Sequence, residues 1–234
     1  MCGRYVRSRS RHFYEEALAS ANVPGASAQP ENKGDIVPSW NMPPGMCSWV
    51  WRHDSARSPS FDSIWWGLVP RWAQDRKSPR SSARSETVAE LPSFKQSLRE
   101  RRCLVPADGF FEWQATSAGK IPHYITHARG EPLFLAGIWD VWRRPPEEPY
   151  PAFAVLTTGP NELMAEIHDR MPVIVRPEHY ALWMDAGVHD AKALAAVYEP
   201  FPADELRAWS VSPRVNSTKN NEPELLEPVA TQLL

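Results

Sequence analysis

The sequence predicts a single α+β domain built on a curved mixed β-sheet or small barrel, with short helices around it. Three observations lead there. Proline supplies 24 of the 234 residues, about twice the usual roughly 5% share. Each proline removes a backbone donor and limits helix length, which excludes a helical bundle. Apolar residues also come in short runs rich in Trp, Val and Ile, divided by Gly, Pro and charged turns, as strands do. Finally, no repeat or linker divides the chain, so residues 1–234 are expected to form one domain, with a polar tail from about 217. Area scaling has a chain of this length burying about 70% of its unfolded surface, enough for a core without disulfides.

In chain order, residues 2–6 read as a strand and 10–21 as a helix, with Phe13, Leu18 and alanines on its apolar face. Residues 22–47, rich in Pro, Gly, Asn and Ser, read as a long ordered loop. Strands follow at 47–52 and 61–68, separated by the polar stretch 53–60. The basic, Ser-rich segment 70–90 has no period and reads as loop. A helix is expected over 92–102, with Pro92 in its first turn. Short strands then dominate, at 102–106, 109–114, 123–126, 133–142 and 152–158. After them come a short helix at 161–166, a brief strand at 173–175, helices at 177–184 and 191–197, and a last strand at 209–211.

Composition narrows the function. No apolar run approaches the roughly 18 residues that span a bilayer, and the N-terminus lacks a secretory pattern, so a soluble cytosolic protein is expected. Cys2, Cys47 and Cys103 are odd in number and unpaired in spacing, which argues against a disulfide framework or a Cys-x-x-Cys zinc site. Cys47 and Cys103 read as small buried residues. The seven histidines show no metal-ligand spacing, so no metal and no cofactor is expected. Net charge is −2, yet residues 1–102 carry +6 and residues 103–234 carry −8. Arg4, Arg7, Arg9 and Arg11 form one basic cluster, and Arg71, Arg76, Lys77, Arg80 and Arg84 a second. Each reads either as a phosphate-binding face or as solvated surface charge. Most of the 11 tryptophans read as core. Trp66 and Trp72, beside the arginines, are candidates for stacking on bases.

Cys2 is the sharpest chemical feature. With Met1 removed, it would carry a free α-amine and a thiol on adjacent carbons. An α-amine with a pKa near 7.7–8.0 is roughly a tenth to a fifth neutral at pH 7, so it can attack an aldehyde without a large pKa shift. The adjacent thiol can then close the imine to a five-membered thiazolidine. The thiolate can equally serve as a protease nucleophile, and the bland alternative is a small residue at the start of a strand.

The blocks Met1-Cys2-Gly3-Arg4-Tyr5, Trp66-Gly67-Leu68-Val69-Pro70-Arg71-Trp72, Ala83-Arg84-Ser85-Glu86-Thr87, Pro106-Ala107-Asp108-Gly109-Phe110-Phe111-Glu112-Trp113 and Ile167-His168-Asp169-Arg170-Met171-Pro172 occur in this order. Together they closely resemble the SRAP family, the abasic-site-processing proteins once described as SOS-response-associated peptidases. The resemblance extends to the closing 215–217 and 227–228 segments. It implies a protein of the DNA damage response that binds single-stranded DNA at an abasic site and crosslinks to it through a thiazolidine at the N-terminal cysteine. A cytoplasmic location associated with the nucleoid or replication is expected, and since nothing in the sequence argues for an oligomer, a monomer is the default.

Carried over, Cys2 is the nucleophile, Glu112 moves protons beside the sugar, and His168 is the general acid/base that opens the sugar ring. Arg4, Arg84 and Arg170 match positions that hold phosphates. Asn41, Pro44 and Trp72 complete the implied DNA-binding set, Pro44 and Trp72 lying near splayed bases. Without the resemblance, Glu112 reads equally as a buried structural acceptor, and His168 as part of a surface network with Asp169 and Arg170. One position departs from the family: Ser82 stands where asparagine usually contacts the crosslinked sugar, and a hydroxyl reaches about one bond less far. Two rival functions remain. One is a cysteine peptidase using Cys2 with His168 as base, and its likeliest peptide substrate is the chain's own Met1 or a short leader. The other is a non-covalent single-strand binder using the arginines and tryptophans.

Overall fold

The structure, a computed structural model, describes residues 3–23, 25–26, 37–54 and 57–229. Cys2, and the part of the expected 22–47 loop over residues 27–36, fall outside these. Twelve strands and four short α-helices lie within them. The strands are β1 (Tyr5–Arg7), β2 (Ser39–Met42), β3 (Cys47–Asp54), β4 (Arg57–Trp66), β5 (Ser82–Arg84) and β6 (Arg102–Ala107), then β7 (Gly109–Thr116), β8 (Gly119–His127), β9 (Leu133–Trp142), β10 (Tyr150–Thr158), β11 (Met171–Pro172) and β12 (Leu206–Ser210). The helices are α1 (Arg11–Ser20), α2 (Lys95–Glu100), α3 (Glu162–Ala165) and α4 (Tyr180–Met184).

Strands β10, β4, β3, β6 and β9 pair in that order, and β9 pairs back onto β10, closing a five-stranded barrel. All its pairings are antiparallel except β10 with β4. Beyond the ring, β10 also pairs with β5 in parallel and with β11. A second sheet has the order β12-β8-β7-β1-β2. The expected curved mixed sheet with short helices is therefore present, as a barrel joined to a smaller sheet.

The barrel strands are buried on both faces. Trp49, Trp51, Leu104, Phe134, Ala136 and Leu156 pack with Tyr14, Leu18, Leu98 and Trp183 of the helices. Their neighbours Val50, Cys103, Val105, Leu135 and Val155 pack instead with Tyr5, Phe110 and Ile125 of the second sheet. The two-residue side-chain period of a strand assigns successive residues to these two clusters. The chain passes from barrel to sheet at Asp108, which is buried and accepts from Ser8 N, Ser8 Oγ and the Tyr14 hydroxyl. At Gly109 the backbone approaches so closely that a Cβ would lie 2.4 Å from the Ile125 carbonyl oxygen.

Several elements depart from expectation. The described residues of the polar 53–60 stretch belong to β3 and β4, where Arg52 pairs with Ser60 and Asp54 with Arg57. β2 and β5 lie inside segments read as loop, because each is defined by a distant partner rather than by its own sequence. Helix α2 starts after Phe94, so Pro92 lies before its first turn. Residues 191–198 form a 3-10 helix rather than an α-helix. The strand expected at 173–175 is instead β11, with Ile174 making a single bridge to Leu135. The expected polar tail is docked: 3-10 turns at Pro213–Asn216 and Pro223–Leu226 bury Val215 and Leu225 completely.

Candidate functional site

The most chemically equipped cleft lies where β7 and β8 meet the segment after α3. It measures about 420 Å³ and is lined by Glu112, Trp113, Lys120, His168 and Asn216. Glu112 sits in the buried half of β7, opposite His123 of β8, and is only 2% exposed. Burial raises its carboxyl pKa above the usual value, a shift opposed by nearby positive charge including His168. The Glu112 carboxyl therefore holds a proton to higher pH than a surface glutamate.

His168 Nε2 lies 3.9 Å from Glu112 Oε2. Its backbone N–H bonds to Met164 O, so the turn after α3 fixes the ring's position. Nδ1 accepts the Arg170 backbone N–H at 3.0 Å, which puts the proton of the neutral ring on Nε2, facing Glu112. The exposed Asp169 carboxylate also lies 3.0 Å from Nδ1.

The first described residues lead to this cleft. Tyr5 pairs with Phe110, and Phe111 N donates to Arg4 O. Continuing that antiparallel register sets Gly3 level with Glu112. Placing β1 between β7 and β2 therefore delivers the N-terminal segment to the carboxyl–imidazole pair.

A second group gathers at the C-terminal end of β10. Ser82, Ala83 and Arg84 pair with Val155, Leu156 and Thr157. Ser82 is half-buried and Arg84 exposed. Arg170 donates to Thr157 O at 2.7 Å and makes a two-pronged pair with Glu86, holding that carboxyl down at about 2. Pro44 is exposed on a turn whose Gly45 N donates to Trp66 O, and the Trp66 indole in turn donates to Ser81 O. This hydrogen-bonded path links the Pro44 turn to the Ser82 strand.

The remaining candidates do not all face solvent. Trp72 does, at 65% exposure, but Trp66 is fully buried between Tyr5 and Phe153 and offers no stacking surface. Asn41 is 1% exposed, and its amide reaches Val215 O, Ser217 O and Asn220 O. It therefore pins the C-terminal segment rather than presenting itself to a ligand. Arg4 donates to Asn41 Oδ1 at 2.6 Å and to Val215 O at 2.8 Å, and lies over the Trp113 ring. The N-terminal arginine cluster is no continuous face. Arg7 is buried over Trp49 and Arg11 pairs with Glu15. Cys47 is half-buried rather than buried, while Cys103 is buried with its thiol pKa pushed up.

Sequence reasoning missed Lys120, Trp113 and Asn216 as lining residues. Trp113 Nε1 donates to Asn216 Oδ1, and only the docked C-terminal segment brings Asn216 there. Among the described residues no group of acids, histidines and cysteines could hold a metal ion, and no helix is long and apolar enough to cross a membrane.

A closed barrel, a flanking sheet and a carboxyl–imidazole cleft beside the first strand define a β-barrel protein whose first strand leads into that cleft. A profile of the family described as SOS response associated peptidase (SRAP) matches residues 1–218, and the chain belongs to that family. It is 36% identical over 230 residues to the abasic site processing protein YoqW of Bacillus subtilis (strain 168), covering 97% of this chain and 99% of that one. It is 30% identical to the abasic site processing protein YedK of Escherichia coli (strain K12), covering 98% of this chain and all of the other. With the rat (Rattus norvegicus) abasic site processing protein HMCES it shares 31% over 97% of its own length and 76% of the relative's. A solved Bacteroides thetaiotaomicron protein shares the fold at a TM-score of 0.82 and 23% identity, over 98% of this chain and all of that one.

Proposed function

We propose that this protein processes abasic sites in single-stranded DNA by joining itself to them through Cys2 after Met1 is removed. The observation that carries the reading is the pairing of Glu112 with His168 in a cleft level with Gly3, one residue downstream of Cys2. The names of the relatives support the same substrate.

The chemistry follows from the groups available. His168, carrying a proton on Nε2, donates it to the ring oxygen of the abasic sugar while the anomeric hydroxyl releases its proton to water, and the ring opens to the aldehyde. The neutral α-amine of Cys2 adds to that carbonyl carbon, and the resulting carbinolamine loses water to give an imine. Glu112, whose burial favours its protonated form, supplies the proton that lets hydroxide leave as water. Its carboxylate then balances the iminium charge. The Cys2 thiol returns a proton to the Glu112 carboxylate as its sulfur adds to the iminium carbon, forming the C–S bond that closes the thiazolidine. The balance is aldehyde plus amine plus thiol giving thiazolidine and one water. Arg84 and Trp72 are exposed for phosphate and base, and Arg170 is held at the same corner by Glu86.

The test is intact-mass spectrometry after mixing the Met1-free protein with a single-stranded oligonucleotide bearing one abasic site. A one-to-one covalent adduct, lost with Cys2→Ala and with N-terminal acetylation, is expected. Protein confirmed to begin at Cys2 that forms no adduct would overturn the reading. A peptidase using only the Cys2 thiolate would survive acetylation and cleave peptides.

A further inference from the structure

A second charged cleft, of about 650 Å³, lies at the opposite end of β10 from Arg84 and Thr157. Arg52, His53, Arg71, Arg101, Trp139 and Arg143 line it, and Glu100 is the one acid on the lining. Pro151, at its mouth, is six residues along β10 from Thr157, roughly 20 Å at the rise of a strand. Nothing in the Cys2 chemistry uses these residues.

Their hydrogen bonding is one-sided. Arg101 is nine-tenths buried, yet neither its Nε nor its Nη2 has a hydrogen-bond acceptor among the described residues. The buried Trp139 indole N–H on the same cleft is equally unsatisfied. A buried donor without an acceptor costs about 1–3 kcal/mol, and the wall of this cleft carries three that the described residues leave unsatisfied. Asp62 accepts from Arg52 Nε (2.8 Å) and Asp140 from Arg71 Nε (2.5 Å), while Arg101 Nε lies 3.3 Å from Asp140 without hydrogen-bond geometry. Neither Asp62 nor Asp140 lines the cleft. They fix the guanidinium planes while leaving Nη edges of Arg52 and Arg71 available. Arg52 is further held over the Trp139 ring at 3.9 Å. Glu100 takes Arg101 Nη1, whereas Arg143 is exposed and has no acidic partner among the described residues. Burial lowers the pKa of His53, so the positive charge comes from the arginines.

We propose that this cleft binds a phosphate group. Guanidiniums with fixed planes match the paired oxygens of phosphate, and the volume suits a ligand of nucleotide size. The phosphate belongs either to the backbone of a bound strand or to a free phosphate compound.

Pyrophosphate titrated into the full chain by calorimetry tests the site, and undamaged single-stranded oligonucleotide separates the sources. Wild type is expected to bind pyrophosphate. Arg143→Gln, on the surface, should weaken it several-fold, and Arg101→Gln should abolish it. If the phosphate is a strand's, Arg143→Gln also weakens the oligonucleotide and lowers the slope of log affinity against log salt by about one. If it is a free compound's, oligonucleotide binding is unchanged while pyrophosphate binding falls. No pyrophosphate binding by wild type, or binding indifferent to Arg143→Gln, overturns the proposal. Adduct formation at an abasic site is measured alongside, so failure here and failure of the Cys2 reading are told apart.

Discussion

Replacing Asn41 with alanine should release the C-terminal segment from the body of the protein. The Asn41 side chain is 1% exposed, accepts from Arg4 at 2.6 Å, and offers its amide to three carbonyls of residues 215–220 at 2.9–3.1 Å. A hydrogen bond to a charged group contributes about 1.5–3 kcal/mol, and a neutral one about 1. An amide has two N–H groups to share among the three carbonyls. The truncation should therefore cost about 3.5–5 kcal/mol. For a domain of this size each kcal/mol shifts Tm by about 2–4 °C, so a fall of roughly 7–20 °C is expected. Urea unfolding followed by tryptophan fluorescence measures the total, and amide hydrogen exchange across residues 213–229 reports where it is lost. Protection there should fall before that of β6, β9 and β10. A cost below about 1 kcal/mol with unchanged exchange would refute the reasoning, because the segment would then be held by the burial of Val215 and Leu225 alone. The same variant should slow adduct formation, since Asn216 lines the cleft.

Other outcomes follow from particular contacts. The Glu112 pKa is raised by burial, so the folded state binds its proton more tightly than the unfolded chain does, and wild-type stability falls as pH climbs above the ordinary 4.5. Glu112→Gln should match wild type in urea below that pH, be more stable near pH 7, and lose adduct formation. Glu86 shifts the other way, to about 2, because Arg170 favours its charged form. Its contribution is present above pH 4.5 and lost as pH falls toward 2; carbon NMR of its carboxyl should show that low midpoint. Since the carboxyl is half exposed, the effect on stability is small. Gly109→Ala forces a Cβ against the Ile125 carbonyl and should cost about 1–3 kcal/mol in urea unfolding, separating β7 from β8 beside Glu112. Ser82→Asn, which lengthens a half-buried side chain on β5, should speed adduct formation in a quenched time course; no acceleration would count against a reach-limited role for Ser82.

What could be read from the sequence was whatever a residue's own neighbourhood decides. The apolar runs at 133–142 and 152–158 became β9 and β10 because their alternate residues feed two cores. Glu112 and His168, identified through separate motifs, meet at 3.9 Å. The misses all depend on distant partners. Ser82–Arg84 has no strand pattern and is a strand only because β10 lies beside it. Trp66 stands next to basic residues in the chain, but alternation along β4 turns it inward and leaves Trp65 partly exposed. Asn41 is an ordinary polar residue until the carbonyls of residues 215–220 surround it. Lys120 gives no local signal at all, since only the β7–β8 hairpin brings it to the cleft.

The pairings of β10 also govern when the protein can fold as it is made. β4 and β5 are both completed in part by β10, whose first residue is synthesised 66 residues after Arg84. At about 5–20 residues per second that is a wait of roughly 3–13 s. For that interval the edge of β4 that will take β10 is open, on a hairpin rich in tryptophan, and open edges invite pairing with other chains. Ribosome-bound chains stopped before residue 150 should therefore be protease-sensitive and in need of a chaperone, while chains carried past residue 158 and clear of the exit tunnel should become resistant together in barrel and N-terminal strands. The barrel closes late, and the basic half of the chain has no stable form of its own until the acidic half arrives.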